Sequence, residues 1–426
     1  MKLSIFNDKD RAACVESAPD GTQNEPGPPP DGGLTAWLQV LGFHFIFFNS
    51  WGVTNSFGVF QQYYAQTLPQ SASEISWIGS VQVFLLFFVG VLAGRATDAG
   101  YFRPVLFLGV LFQLVGVFMT SLCTTYWQIF LAQAVCMGLG NGCTFCPALS
   151  VTSSYFLRRR ALAVGLGAAG AATGGLIYPV VADMLLYKHP IGYAWTLRVM
   201  GFIMLGTHIP GLLWMRSRLP PRSTGPIIEW GAFRELPWVF FTASMFFNFW
   251  GLYFAFFYLG TFARDRLGMS DSLNLIMILN AVGVPGRIIP TYIGGRITGM
   301  LNLLIPLSLA ASILTYCWAA VSNVAGLYTF TVLFGIVAAA LQSLFPATAT
   351  MLNPNLEKAG TRLGMILSIV SIANLTGPAI EGALVQRDGG HYLDGQMFAA
   401  SSIFLGAAAA VAARIAKTGL RWKVKA

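Results

Sequence analysis

Charged side chains are scarce in this chain. Asp, Glu, Lys and Arg make up only 10% of its 426 residues, against about 25% in an ordinary soluble domain. Hydrophobic residues account for 55%, and the mean hydropathy is +0.63. So little charge cannot cover the surface of a soluble protein of this length, which predicts a protein that faces lipid over much of its surface.

Metal-binding and nucleotide-binding patterns are also sparse. The chain has six cysteines, and only Cys143 and Cys146 form a C-x-x-C pair, without a second pair or a histidine to complete a zinc site. The Walker lysine motif of ATP-driven pumps is missing from the sequence. We therefore expect neither a metal nor a cofactor.

Apolar stretches of about 20 residues, long enough to cross a bilayer, are abundant instead. They follow one another from Trp37 onward, separated by short polar links or by links marked with Gly and Pro. Twelve spans are predicted, at 36–64, 75–95, 104–123, 126–149, 160–182, 194–215, 237–262, 272–294, 301–321, 325–348, 362–385 and 396–414. The expected fold class is an all-α membrane protein with twelve transmembrane helices in two six-helix bundles.

Polar segments divide the chain into five predicted parts. These are a disordered cytoplasmic tail (1–33), a first bundle (34–215), a cytoplasmic linker (216–235), a second bundle (236–415) and a basic cytoplasmic tail (416–426). A short repeat supports the duplication, because GRAT at Gly94–Thr97 recurs as GRIT at Gly295–Thr298. The two copies follow the second and the eighth span, which are matching places in duplicated bundles.

The net charge of +9 is distributed unevenly across the predicted links. Twenty of the 26 Lys and Arg residues fall on the side that also holds both termini, five fall on the other side, and Arg287 lies within a span. The positive-inside rule makes the richer side cytoplasmic. We therefore expect a multi-pass protein of the plasma membrane, with the bilayer and no nucleic acid as its partner, working as a monomer.

Three stretches resemble the signatures of one transporter family. They are DGGLTAW at Asp31–Trp37, SYFLRRRALAVGLGAAGAATGGLIYP at Ser154–Pro179 and FNFWGLYFAFFYL at Phe247–Leu259. On these motifs the chain resembles the major facilitator superfamily, and within it the monocarboxylate porter family, especially its fungal members. The resemblance implies two six-helix bundles that rock about a central cavity and expose a small organic solute to each side in turn.

The loop after the second span, GRATDAGYFRP, resembles the superfamily's cytoplasmic signature at Gly94, Asp98, Gly100 and Arg103. An Asp at a span's end can accept hydrogen bonds from a neighbouring helix N-terminus, which predicts a gating role for Gly94, Asp98 and Arg103. The alternative is that the arginines of this loop only anchor the topology. In the second half Gly299 stands where Asp98 would be repeated, so a latch there would be weaker.

Arg287 is the clearest candidate for contact with substrate, because a charge at the bilayer centre costs at least about 2.5–3.5 kcal/mol unless it faces a cavity or a partner. The resembling family carries at this place an arginine that meets the substrate carboxylate, and a guanidinium can bind a carboxylate through two hydrogen bonds. Pairing of Arg287 with a helix end or with Glu381 is the alternative.

Two positions depart from the better-known proton-coupled members of the resembling family. Asn55 stands where those carriers have a lysine in the first span, and Gly283 stands where they have an acid four residues before the arginine. Proton-linked transport of the lactate type is therefore not expected. Asn55 is a candidate for a hydrogen bond to a solute carbonyl, with packing inside the membrane as the alternative.

Glu381 is the one acid deep in a predicted span, apart from Asp183 near a span end. It is a candidate for a protonatable coupling site, and the alternatives are a fixed counter-ion or a hydrated group near the outer surface. Further candidates for the cavity wall are Asn141, Asn248, Asn280, Asn374, Gln342, Tyr178, Trp250 and Tyr253. A pocket of aromatic and weakly charged residues favours a larger, partly apolar solute over a small acid.

The stretch RRRALAVGLGAAGAATGG at Arg158–Gly175 contains a G-x-G-x-x-G pattern, which also occurs in dinucleotide-binding turns. Such a turn needs a soluble strand before it and a soluble helix after it, whereas here the apolar run continues across the membrane. We predict that the glycines instead allow close helix packing. The residues concerned are Gly165, Gly167, Gly170 and Gly174.

These features predict a secondary active or facilitative transporter of a small organic solute, working by alternating access, and not an enzyme. Export of a secondary metabolite is the leading hypothesis, with a proton as a candidate coupling ion. Uptake of a monocarboxylate is one alternative. A membrane receptor or scaffold that transports nothing is another, which would account for the spans and leave the loop signatures unexplained.

Overall fold

The computed structural model of the chain describes residues 27–189, 191–221, 228–269, 272–352 and 356–419. All regular structure within these ranges is helical. The helices before the linker are α1 (Gly33–Asn55), α2 (Phe57–Thr67), α3 (Ala72–Ala96), α4 (Phe102–Thr120), α5 (Tyr126–Ile129), α6 (Met137–Ser154), α7 (Arg160–Ala168), α8 (Gly170–Asp183) and α9 (Tyr193–Trp214). Those after it are α10 (Leu236–Leu267), α11 (Leu273–Ile293), α12 (Met300–Trp318), α13 (Val324–Met351), α14 (Leu356–Arg387) and α15 (Leu393–Thr418).

Every stretch predicted to cross the membrane lies along these helices. The first, 36–64, follows α1 and α2, which are interrupted only at Ser56. Ten helical stretches of the described chain are long and apolar enough to cross a membrane. One of them, Ala72–Thr120, is 49 residues long and covers both the second and the third predicted span. The prediction of an all-helical, multi-pass membrane protein is confirmed.

Some predicted segments lie outside the described residues. They are residues 1–26 of the predicted tail, 222–227 of the linker and 420–426 of the basic tail. The described part of the linker contains a short 3₁₀ helix, Trp230–Arg234, directly before α10.

Local signals explain where several helices begin and end. Ser71 and Glu74 form a capping box at the start of α3, in which each side chain bonds the backbone N–H of the other residue, at 3.2 and 2.8 Å. Asn323 caps α13 by accepting a 2.7 Å hydrogen bond from Gly326 N–H. Gly268 ends α10 in the left-handed conformation, with φ of 64°.

Neighbouring helices approach closely where glycine leaves room for the other backbone. A methyl group at Gly251 of α10 would lie 2.8 Å from the Cα of Ala399 in α15. Between α11 and α13, a methyl group at Gly335 would lie 2.7 Å from the carbonyl oxygen of Leu279. Without a hydrophobic force to drive association inside lipid, such close packing is a main source of helix affinity.

Two long seams join the helices before the linker to those after it. Along the first, α3 packs on α14: Ser73 Oγ donates a 3.1 Å hydrogen bond to the Ala379 carbonyl near one end, and Val91 packs against Gly364 near the other. Along the second, α7 and α8 pack on α11. The two seams enclose the space in which the candidate site lies.

Candidate functional site

A cavity lies between the two seams. Its walls come from α1, α3, α6 and α7 on one side and from α10, α11, α13 and α14 on the other. The lining residues are Phe43, Phe47, Trp51, Phe87, Phe145, Leu149, Val164, Ala168, Phe249, Arg287, Gln342, Phe345, Pro346, Leu363 and Leu367. Both halves of the chain therefore contribute to one chamber, and its wall is almost entirely apolar.

Seven aromatic rings form most of the wall, and they pack on one another. Phe87 of α3 lies 5.6 Å from Phe145 and 6.1 Å from Phe249, measured between ring centroids, so it connects aromatic side chains of the two halves. Phe249 in turn packs on Phe345 at 5.3 Å. Rings at these distances hold one another in place, so the apolar surface is formed before any solute binds.

Arg287 and Gln342 are the polar members of the lining, and they contact each other. The Arg287 side chain donates a hydrogen bond of 2.5 Å from Nη2 to Gln342 Oε1. Arg287 is 4% exposed, and neither its Nε nor Gln342 Nε2 has a hydrogen-bond partner among the described residues. The cavity thus contains a buried cation with unused donors beside it.

The backbone around Arg287 is fixed to the helix that carries Gln342. Thr291 Oγ1 donates to the Arg287 carbonyl at 2.6 Å, and Ser343 Oγ of α13 bonds both that carbonyl, at 3.3 Å, and Thr291 Oγ1, at 3.1 Å. Gly286 adds close contact, because a methyl group there would lie 2.7 Å from the Ile336 carbonyl oxygen. The guanidinium therefore projects from a rigid base.

Tyr253 and Asn55, two predicted wall residues, lie outside the lining. Tyr253 stacks on Trp51, with ring centroids 6.3 Å apart and planes 12° from parallel, so it supports the wall from behind. Its hydroxyl has no partner among the described residues. Asn55 is fully buried at the end of α1, and both of its amide atoms also lack a partner within the described chain.

The structure places three further predicted wall residues, Tyr178, Trp250 and Asn248, in contacts between helices. Tyr178 donates to Asn49 Oδ1 at 2.6 Å, and Trp250 Nε1 donates to Thr376 Oγ1 at 3.0 Å. Asn248 accepts a 2.5 Å hydrogen bond from Ser308 Oγ and donates back to its own helix. These donors and acceptors are used by the fold, which leaves them little capacity to bind a solute.

Asn280 belongs to the same group. Its Nδ2 donates to the Ile276 carbonyl at 3.0 Å, and its amide presses on Gly175 of α8. Asn280 thus contributes to the seam between α8 and α11.

Comparison with known proteins identifies the family to which the chain belongs. The family profile described as Major Facilitator Superfamily matches residues 43–378. The chain belongs to the major facilitator superfamily. It is therefore a membrane transporter and not an enzyme, and the dinucleotide-binding alternative for the G-x-G-x-x-G stretch is wrong.

Relatives and a solved structure agree with that assignment. The chain is 43% identical to an MFS-type transporter of Gibberella zeae, over 97% of this chain and 96% of the relative. It is 36% identical to the aspyridones efflux protein of Emericella nidulans, over 97% and 84%. The human organic anion transporter MFSD10 has the same fold, with a TM-score of 0.69 and 13% identity over 90% of this chain and all of the other.

The glycines of the G-x-G-x-x-G stretch lie where the transporter's helices come closest. Side chains at Gly167, Gly170 and Gly174 would overlap the Phe43 ring, the His44 carbonyl and the Phe48 carbonyl of α1. Gly165 instead faces α11, with Arg287 O and Thr291 Cβ both 3.5 Å from a methyl group placed there. The segment of α7 and α8 is thus held between α1 and α11.

The loop that resembles the superfamily signature follows α3. Gly94 lies in the last turn of α3, Asp98 lies in a π-helical turn, and Arg103 is exposed in the first turn of α4. Asp98 lines a shallow depression together with the end of α6 and the start of the linker. Gly100 has φ of 96°, a conformation that favours glycine, and Gly299 in the second copy has φ of 89°.

Two of the signature motifs meet in the structure, through Asp31. Its carboxylate accepts hydrogen bonds from the backbone N–H groups of Leu157 at 2.6 Å and Arg158 at 2.9 Å, directly before α7. The Leu157 N–H lowers the pKa of Asp31 more than any other group does. From the sequence, DGGLTAW indicated only a resemblance to a family. Its one acidic residue, Asp31, is the signal that could have predicted such a cap.

A second contact was missed entirely, and we call it the linker clamp: Arg362 with Glu229 and Glu235. Arg362 of α14 donates two hydrogen bonds to Glu229, at 2.8 and 3.1 Å, and two to Glu235, at 2.7 and 2.6 Å. Both acids flank the short helix of the linker. The clamp therefore ties the linker to the helix that packs on α3 across the first seam.

Glu381, the predicted coupling residue, lies in α14 away from the cavity lining. It is fully buried, and neither carboxylate oxygen has a partner among the described residues. Its neighbour Gly382 is packed against the Tyr258 hydroxyl of α10 and the Ser73 backbone of α3. Glu381 thus lies close to the contact between α3 of the first half and α14 of the second half.

Proposed function

We propose that this transporter exports a secondary metabolite, an aromatic or largely apolar molecule with an acidic group. The observation that carries the proposal is the cavity, in which seven aromatic rings surround a single buried guanidinium. A relative whose name states that it exports aspyridones, 36% identical over nearly the whole chain, supports export. The aromatic lining also suits an apolar solute better than a small, hydrophilic monocarboxylate.

We further propose the finer architecture: twelve transmembrane helices in two six-helix bundles, 34–215 and 236–415, joined by a cytoplasmic linker. The order of helices and the distribution of Lys and Arg support this arrangement, with both termini cytoplasmic and the plasma membrane as location. The three signature motifs support a place in the monocarboxylate porter family. A monomer suffices, because both walls of the cavity come from one chain.

In the proposed binding mode, Arg287 meets the acidic group and the aromatic wall covers the apolar body. The guanidinium stays charged at any physiological pH, so the site keeps its attraction for an anion throughout the cycle. Burial of Arg287 among apolar side chains strengthens that attraction, since little water screens it. Binding the anion would also compensate the cost of a buried cation.

In this proposal, transport depends on movement of the two bundles at the seam between α3 and α14. The Ser73 to Ala379 hydrogen bond and the contact of Val91 with Gly364 lie toward opposite ends of the two helices. Rocking of one bundle on the other would open one end while the other stays packed. The Asp98 loop and the linker clamp lie at the predicted cytoplasmic ends, where they would stabilise one of the two arrangements.

Glu381 is the proposed coupling residue. A carboxyl group that is fully buried without a hydrogen-bond partner is costly to leave charged, so its proton would be taken up from the outside, held in this arrangement and released where the cycle exposes the group to the cytoplasm. Import of protons through this step would drive export of the solute.

The test combines cells and purified protein. Metabolites inside and outside the producing cells are compared by mass spectrometry with and without the gene, and the compound that accumulates inside is then tested in proteoliposomes. Wild-type protein should transport it and Arg287→Ala should reduce transport at least tenfold. Unchanged metabolite distributions would contradict export, and undiminished transport by Arg287→Ala would remove its role as the anion site.

A further inference from the structure

The contact between Arg287 and Gln342 determines how the Gln342 amide is oriented. A guanidinium only donates hydrogen bonds, so the atom that faces it must be the amide oxygen. The other end of the amide, Nε2, consequently points away from Arg287, and it has no partner among the described residues although Gln342 lines the cavity. Arg287 Nε likewise lacks a partner.

We propose that Gln342 is the second half of the anion site, binding the solute through Nε2 while it positions Arg287 through Oε1. This inference rests on the proposed function and deepens it. The two side chains present adjacent N–H donors in a cavity whose other lining side chains offer only the Trp51 indole N–H, so they suit a planar acidic group with two acceptor oxygens. The ligand class is an aromatic carboxylic acid, or an acid of the same planar shape.

The chemistry of the pair gives the solute's acid group two separate sources of selectivity. Arg287 attracts the negative charge, whereas Gln342 Nε2 requires an acceptor at the second oxygen. An uncharged amide of the same shape replaces one acceptor by a donor and loses the charge as well. The site should therefore discriminate strongly between an aromatic acid and its amide.

A merely structural role for Gln342 makes a different prediction for one double variant. A structural role acts only through Arg287, so it predicts that Gln342→Met has no further effect once Arg287→Ala has removed the guanidinium. In our proposal Gln342→Met still removes the Nε2 donor in that background, so the acid binds more weakly again. Gln342→Met, which lacks both functions, should weaken binding of the acid without introducing a charge.

The experiment measures binding of 2-naphthoate and 2-naphthamide to the purified full-length transporter by titration calorimetry. Wild type should prefer the acid at least tenfold, Gln342→Met should bind it about tenfold more weakly, and Gln342→Glu should lose or reverse the preference. The matched control is Gln128→Glu, the same change at a helix-capping glutamine outside the cavity, where Glu can also accept from Thr124 N–H. The control should leave the preference unchanged.

The outcomes separate this inference from the proposed function. If wild type does not prefer the acid, or binds neither compound, the organic anion function and the inference both fail. If wild type prefers the acid and Arg287→Ala removes that preference while Gln342→Glu retains it, only the role of Gln342 is overturned. A further loss of acid binding when Gln342→Met is added to Arg287→Ala, with Gln128→Glu unchanged, supports the proposal, and no further loss overturns the role of Gln342.

Discussion

Breaking the linker clamp should destabilise the transporter mainly through Glu229, although Glu235 makes the shorter hydrogen bonds. The Arg362 side chain is 6% exposed, that of Glu229 12% and that of Glu235 46%. An ion pair that water reaches is strongly screened, whereas a buried pair is screened much less. The contributions of the two ion pairs to stability should therefore follow their burial and not their hydrogen-bond distances.

The structure sets the expected magnitudes. Removing one partner of a buried pair costs about 3–5 kcal/mol, and Arg362→Met should lie near the lower end, because Glu235 can still be hydrated. Exposed pairs contribute about 0.2–1 kcal/mol, so Glu235→Gln should cost less than about 1 kcal/mol. Glu229→Gln should cost more than Glu235→Gln, since its site is drier.

The assay is a double-mutant cycle on thermal unfolding in detergent, with Arg362→Met combined in turn with Glu229→Gln and Glu235→Gln. The coupling of Arg362 with Glu229 should exceed that with Glu235, and high salt should reduce only the smaller coupling. The control is Arg264→Met, which breaks a surface pair with Asp265 whose side chains are 32% and 45% exposed. Equal couplings, or a larger one for Glu235, would refute the ranking by burial.

Three further predictions concern other parts of the transporter. Gly170→Ala should lower the melting temperature, because the new methyl group overlaps the His44 carbonyl, whereas Gly206→Ala, with open space around it, should be neutral; equal effects would contradict close packing as the reason for the glycine. Asp31→Asn should lower the melting temperature at pH 7. Since the pKa of Asp31 is lowered from 3.8 in the folded state, its stabilising effect is present above that pH and lost as the pH falls through the folded value, so wild type and variant should converge once the pH lies below the folded-state pKa. Glu381→Gln should abolish the dependence of proteoliposome transport on a pH gradient while binding persists; a retained dependence would assign the coupling proton elsewhere.

Arg287 and Gln342 show how far residue types alone can locate the site. An arginine inside a span is rare and costly, so its position in the sequence already made it a candidate for the site. A glutamine in a span is far less unusual, and its role depends on the register of α13 against α11. That register is set by the close packing at Gly286 and Gly335, which acts between residues far apart in the chain.

The aromatic wall shows the same limit. Tyr178, Trp250 and Tyr253 were predicted as aromatic members of the cavity wall, yet Tyr178 and Trp250 pack between helices and Tyr253 lies behind the wall. Phenylalanines dominate the lining, and in a sequence they look the same whether they face lipid, core or cavity. The direction in which each phenylalanine side chain points depends on the rotation of its helix about the helix axis. A helix that is apolar on all sides gives no sequence signal for that rotation.

Composition and charge placement were sufficient to predict a multi-pass helical membrane protein and the approximate positions of its spans. Those properties follow from the local cost of placing polar groups in lipid, which each segment carries regardless of its neighbours. The cap at Asp31 and the linker clamp joining Arg362 to Glu229 link residues 126 and 133 positions apart. Such contacts depend on how the finished helices pack, so they appear only when the whole chain is folded.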